Sequence, residues 1–352
     1  MGPRVPVRSH PMAASSSFER AQRLPGNFAW IAVAVDAALF AVTMAVQLLP
    51  SSPHGEQMRG VYAQPGVWVL LLSRAVSVWL LAATLAWCHA RQALDERGAA
   101  SIAQLRGPGS RFAAVFLAVM VVNMLALTPL FYQAQLLFMP GGPLHERVGT
   151  YGLRPVMAVS MFVQSAIQML VLVGSVWLAA RFALRERSTA LVDASPGAAD
   201  GGADMAAPRR AVALVAAATF VSLQMWIGHA ASGWVDTSRD SDLAPLLLGW
   251  FAVPLLVFAL AFWGGWLGAA PGPAQARPFR AVAAAVSAFV LLQVACAALA
   301  LGGLLWIASA SFSGTSSDGR LVALAVLLSA VYLVLLVLAM RALTRRFYRR
   351  YL

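Results

Sequence analysis

The chain contains no lysine: all 26 of its basic residues are arginine. That excludes chemistry resting on a lysine amine, such as a retinal or pyridoxal Schiff base or the phosphate-cradling lysine of a P-loop. Charge of either sign is scarce, at 11% of 352 residues, where a soluble domain carries about 25%. Only two cysteines occur, Cys88 and Cys296, and each sits in an apolar run. A disulfide framework and a thiolate metal site both lack their raw material.

What is present is hydrophobic. Apolar residues make up 60% of the chain and its mean hydropathy is +0.72. A disordered chain, a soluble globule and a small secreted scaffold are all excluded by that balance, leaving a polytopic membrane protein. A bilayer core of about 30 Å is crossed by about 20 apolar residues. Eight stretches meet the requirement: Asn27–Leu49, Gly66–Trp87, Phe112–Phe138, Pro155–Ala180, Ala211–Ser232, Ala244–Gly268, Phe279–Ala308 and Leu321–Leu343. The expected fold is an all-α transmembrane bundle of eight spans. The first span is too long for a signal-peptide core and is read as retained. Pro129 offers a kink point in the long third span.

The organisation read from composition has five parts. An N-terminal tail covers residues 1–26, a first four-helix half 27–180, a flexible linker 181–210, a second four-helix half 211–343 and a basic tail 344–352. The linker contains a Ser-Pro-Gly-Ala-Ala-Asp-Gly-Gly run from Ser195 that has little to bury. With the N-terminus inside, cytoplasmic segments hold twenty arginines and the outer loops hold five, with Arg74 inside a span. This positive-inside bias predicts a bacterial inner-membrane protein with both termini cytoplasmic. The basic balance is spread over short loops, so nucleic acid is not an expected partner.

The halves show weak internal similarity. Leu70-Leu71-Leu72-Ser73 matches Leu246-Leu247-Leu248-Gly249, and at the same spacing Ala83 falls on Ala259 and Trp87 on Trp263. Leu178-Ala179-Ala180-Arg181 matches Leu338-Ala339-Met340-Arg341. Each half starts and ends on the same side, so a repeat would be parallel, about an axis along the membrane normal. The opposing explanation is that Leu/Ala/Val-rich helices align with anything.

Ionisable side chains at membrane depth are rare and functional by default. Asp36 lies about 12 Å into the first span and Arg74 about 12 Å into the second from the other side, at 1.5 Å per residue. Antiparallel neighbours would bring them within about 6 Å in depth, inside the reach of an arginine side chain. The expectation is an intramembrane ion pair that staples two helices, with a gating or proton-coupling pair as the sharper alternative. Polar stripes at helical spacing mark further inward faces. Span 1 carries Asp36, Thr43 and Gln47; span 2 carries Ser73, Ser77 and Thr84. Ser160, Gln164, Gln168 and Ser175 share a stripe of span 4, and Thr219, Ser222, Trp226 and His229 one of span 5. Asn123, Gln164, Gln168, Gln224, His229 and Gln293 are the candidates for a polar pathway; the plainer use of such residues is interhelical glue.

The histidines are spread over different depths, which argues against paired haem ligation. A surface metal site from His54, Glu56, His145 and Glu146 has exposed loop polarity as its simpler explanation. No GxSxG, HExxH, paired-carboxylate protease pattern or phosphate loop occurs. Catalysis, cofactors and metals are therefore not expected. Gly264 and Gly268 form a small-xxx-small pair suited to close helix approach, inside the bundle or between protomers. Arg345, Arg346, Arg349 and Arg350, interleaved with Phe347, Tyr348 and Tyr351, suit anionic lipid headgroups. A membrane enzyme acting on lipid or quinone survives only because such sites can lack a readable motif, and two better supported functions stand beside it. One is a transport-type protein, permease or channel-like, with a polar path between two four-helix halves. The other is a non-catalytic subunit or scaffold, associating with itself or with other membrane subunits.

Overall fold

A computed structural model describes residues 19, 21–49, 55–138, 142–185, 206–232, 243–270, 272–273, 275–311 and 318–351. These are helical nearly throughout, with no strand among them. Eight helices are long and apolar enough to cross a membrane. The chain is an all-α, multi-pass membrane bundle. Most of the expected N-terminal tail and residues 186–205 of the expected linker lie outside the described residues.

The spans are helices Leu24–Leu48, Pro65–Ala103, Pro108–Leu136, Pro143–Ala183, Ala206–Ser232, Leu243–Gly268, Pro278–Ser311 and Asp318–Tyr348, numbered 1 to 8 below. A short helix, Gly55–Tyr62, joins the first two. Several helices outrun their apolar stretches. Span 2 continues past Trp87 on polar residues held by an Arg91–Asp95 ion pair of 3.2 Å, one turn apart. It breaks at Gly98, whose φ of 76° lies in the region that glycine tolerates best. Span 3 runs on through Pro129 as one helix.

Span 6 departs from a plain helix. Leu248–Ala252 form a π-turn, with the Val253 amide bonded back to the Leu248 carbonyl. Pro254 supplies the reason: it has no amide for the Trp250 carbonyl and its ring crowds that oxygen, so the register widens by one residue.

Spans 1 to 4 and 5 to 8 share one neighbour order. In the first half, span 1 touches spans 2 and 3, and span 4 touches the same two; in the second, span 5 touches spans 6 and 7, and span 8 touches those. The halves meet mainly where span 2 packs on span 5. A two-fold axis along the membrane normal would require span 6 to pack likewise on span 1, and that pair is not among the packed ones. Among the described residues the halves thus share a neighbour order without a second, symmetry-equivalent seam. Span 5 is the buried axis: 78% of its most apolar window is enclosed, against 6% for spans 1, 3 and 8.

Arginines secure one end of the bundle. Arg97 donates to the Leu184 carbonyl, Arg209 to the Trp266 carbonyl at 2.8 Å and Arg280 to the Phe347 carbonyl at 3.0 Å. These oxygens sit at the C-terminal ends of spans 4, 6 and 8, where helix carbonyls lack intrahelical partners and the dipole is negative. Arg209 also lies over the Trp266 ring, 4.1 Å from its centroid.

Candidate functional site

The four spans of the first half surround a hollow of about 360 Å³. Asp36, Phe40, Thr43 and Met44 face it from span 1; Leu71, Arg74, Ala75 and Val78 from span 2. Met120 and Asn123 come from span 3, Gln168 and Leu172 from span 4, and Trp226 closes it from span 5. The hollow thus lies inside the first half, with one wall lent by span 5.

Asp36 and Arg74 share this cavity but do not pair. The Asp36 carboxylate accepts from the Trp79 indole at 2.9 Å, while Arg74 donates to the Gln168 amide oxygen at 2.7 Å. Neither forms an ion pair among the described residues, so the expected staple is replaced by two others, Asp36–Trp79 and Arg74–Gln168. Helix direction accounts for the difference. Asp36 is level with Trp79, and Arg74 stands five residues away along span 2, on the order of 7 Å at 1.5 Å per residue. Each side chain also leans toward the N-terminus of its own helix, and in antiparallel helices those leanings diverge. Arg74 is exposed although it lies well inside a span, since its side chain stands in the cavity.

The other candidates divide. Asn123 lines the cavity, and its buried Oδ1 has no hydrogen-bond partner among the described residues. Gln164 is half-buried and outside the lining. Gln224 and Gln293 belong to the second half, where the Gln224 oxygen accepts from Gln293 at 3.1 Å and from the Tyr332 hydroxyl at 2.8 Å. One turn before them on the same two spans, Phe220 and Phe289 pack edge to face.

His229 belongs to the seam between halves. Its Nε2 lies 2.8 Å from the Leu70 carbonyl, its Nδ1 lies 2.7 Å from the Met225 carbonyl, and its ring packs on Trp250 of the π-turn. Further along, Ser222 donates to the Ser77 carbonyl at 2.9 Å, and the Trp226 indole donates to the Ser77 hydroxyl at 3.0 Å. Rising numbers on one helix meet falling numbers on the other, so spans 2 and 5 run antiparallel. Sequence reasoning put Trp226 on the right face without a role, and missed Trp79 and Tyr332. Level matching from Asp36 across to span 2 is the signal that finds Trp79.

Beyond the cavity on span 1, Gln47 accepts a hydrogen bond of 2.5 Å from the Tyr62 hydroxyl. Burial pushes the Tyr62 phenol up from its usual range, so it remains a donor at physiological pH. His54 of the considered metal site lies outside the described residues. Among those described, no three His, Cys, Asp or Glu residues gather as metal ligands.

Gly264 and Gly268 settle inside the molecule, against span 8. A Cβ on Gly264 would stand 2.7 Å from the Val337 carbonyl oxygen, and one on Gly268 would stand 2.5 Å from that of Arg341. The partner number rises with the glycine number, so spans 6 and 8 run parallel. In the basic tail Arg345, Arg346, Arg349 and Arg350 are exposed, but its aromatics turn inward. Tyr348 donates to the Arg277 carbonyl at 2.6 Å, and the Tyr351 ring lies 4.5 Å from the guanidinium carbons of both Arg277 and Arg280. The tail is the docked end of span 8, not a separate extension.

No protein-family model, curated protein or solved structure matches this chain.

Separate partners for Asp36 and Arg74 have a measurable consequence. Asp36→Asn and Arg74→Gln should shift unfolding midpoints additively, within about 0.5 kcal/mol. Asp36→Asn with Trp79→Phe should instead couple. A strong Asp36–Arg74 coupling in the double-mutant cycle would mean that the two side chains touch.

Proposed function

We propose that the chain is a transport-type protein of a bacterial inner membrane, a permease that takes a small polar ligand into the cavity of its first half. The carrying observation is a hollow at membrane depth whose wall holds a carboxylate and a guanidinium that do not neutralise each other, with an unpartnered amide oxygen beside them. Burying unpaired polar groups is costly, and such a wall is retained where a ligand supplies the missing partners. A scaffold gains nothing from it. Pockets of about 300–1,000 Å³ with a few convergent polar groups are typical of small-molecule sites.

Both termini are cytoplasmic in this reading. The arginine asymmetry supports that, and exposed Arg345, Arg346, Arg349 and Arg350 at the same end suit contact with anionic headgroups. A reporter fused after Arg350 should be active only on the cytoplasmic side; activity outside reverses the orientation. For transport, purified protein in liposomes is tested for uptake of radiolabelled amino acids, quaternary amines, sugars and monovalent ions. Uptake above protein-free vesicles, lost in Arg74→Gln, is expected. A monodisperse protein that moves none of them defeats the transport reading.

A further inference from the structure

We propose that the cavity ligand is a compact zwitterion with an apolar substituent, its cationic group held by Asp36 and its anionic group by Arg74. This rests on the cavity being a ligand site, as proposed above, and adds the chemical class.

Charge balance comes first. Asp36 takes one hydrogen bond, from Trp79 to Oδ2, which leaves the other carboxylate oxygen to accept from a ligand. Arg74 spends one Nη on Gln168, and a guanidinium has five N–H donors in all. A simple anion would satisfy Arg74 and meet repulsion at Asp36; a simple cation would do the reverse. A ligand with both charges complements both and carries no net charge into low dielectric.

Size narrows the class. Asp36 and Arg74 face one cavity of about 360 Å³, so a ligand that meets both inside it is small. An ammonium and a carboxylate separated by one or two carbons suit that space better than charges at the ends of a long chain.

The walls supply the rest. Phe40, Met44, Leu71 and Leu172 line the cavity beside the charges and offer an apolar substituent its surroundings. Asn123 lines the same space, and its Oδ1 lies buried beside it with no hydrogen-bond partner among the described residues.

The test compares ligands on the intact wild-type protein. Thermal unfolding and equilibrium dialysis are run with glycine, L-leucine, L-phenylalanine, glycine betaine and 6-aminohexanoate. Two half-ligands of leucine accompany them: 4-methylpentanoate, which lacks the amine, and 3-methylbutylamine, which lacks the carboxylate. At least one α-zwitterion should bind about tenfold or more tightly than either half-ligand, since a lost charge contact of 1.4 kcal/mol is worth a factor of about ten. The longer 6-aminohexanoate should bind more weakly than the best α-zwitterion. Asp36→Asn and Arg74→Gln should each bring the zwitterion down to half-ligand affinity.

Half-ligands binding as well as the zwitterions, or no zwitterion binding at all, overturns the inference. The wild-type comparison decides this even if the variants fail to fold. Uptake of some other solute without zwitterion binding would leave transport standing and defeat this assignment. Zwitterion binding without uptake would do the opposite.

Discussion

Gly268→Ala should lower the unfolding midpoint by several degrees, and Gly268→Leu should leave little folded protein. The added Cβ at this position would meet the Arg341 carbonyl oxygen at 2.5 Å and the Thr344 Cβ at 2.9 Å. Neither is the flexible end of a side chain, so relief requires spans 6 and 8 to part. Gly264 repeats the contact one turn earlier, with the Met340 Cβ 2.9 Å from where its own Cβ would lie. Overpacking costs about 1–3 kcal/mol where neighbours can shift. Here the nearest atom at each glycine is a backbone carbonyl oxygen, and the loss belongs at the upper end. Gly302, whose Cβ would meet nothing within 4 Å, is the control: Gly302→Ala should leave stability unchanged or slightly improved. Fluorescence-detected size exclusion after heating reads all three. Equal behaviour at positions 268 and 302 would mean that spans 6 and 8 do not touch there.

Trp226→Ala should cost about 3–5 kcal/mol, the range for deleting a large buried side chain. The ring is 6% exposed and lies where seam and cavity coincide. Its removal strips a packed surface from span 5, takes a donor from the Ser77 hydroxyl and opens the cavity toward the second half. Trp226→Phe keeps most of the surface and loses only the hydrogen bond, so it should cost about 1 kcal/mol. Trp30, at 74% exposure, should tolerate alanine with little change. If Trp226→Ala resembles Trp30→Ala, the seam is not where the halves are held.

The membrane class and the eight spans were legible because each apolar stretch is long and lightly charged, and most of their ends are marked by arginine or proline. The shared neighbour order of the halves left only a faint mark, since Leu70–Ser73 against Leu246–Gly249 is a similarity of packing residues rather than of shape. The candidate site was half legible. Asp36, Arg74, Asn123 and Gln168 could be found from polarity at depth, but their partners depend on helix rotation. Span-to-span depth bookkeeping separates Trp79 from Arg74, which stand more than one turn apart, but it does not say which side chain of span 2 turns toward Asp36. The π-turn was missed because the effect of Pro254 falls on the turn before it rather than on its own position. Gly264 and Gly268 announced close approach, yet only the fold says to which helix.

The seam between spans 2 and 5 also bears on the order of synthesis. Its hydrogen bonds join residues 145 to 159 positions apart, such as Ser222 with Ser77 and His229 with Leu70. A chain inserted from its N-terminus delivers the whole first half before any of span 5 exists. Until then the Ser77 hydroxyl lacks its indole donor and the cavity lacks its Trp226 wall. The first half is therefore an unfinished vessel on its own, closed only when the fifth helix enters the membrane.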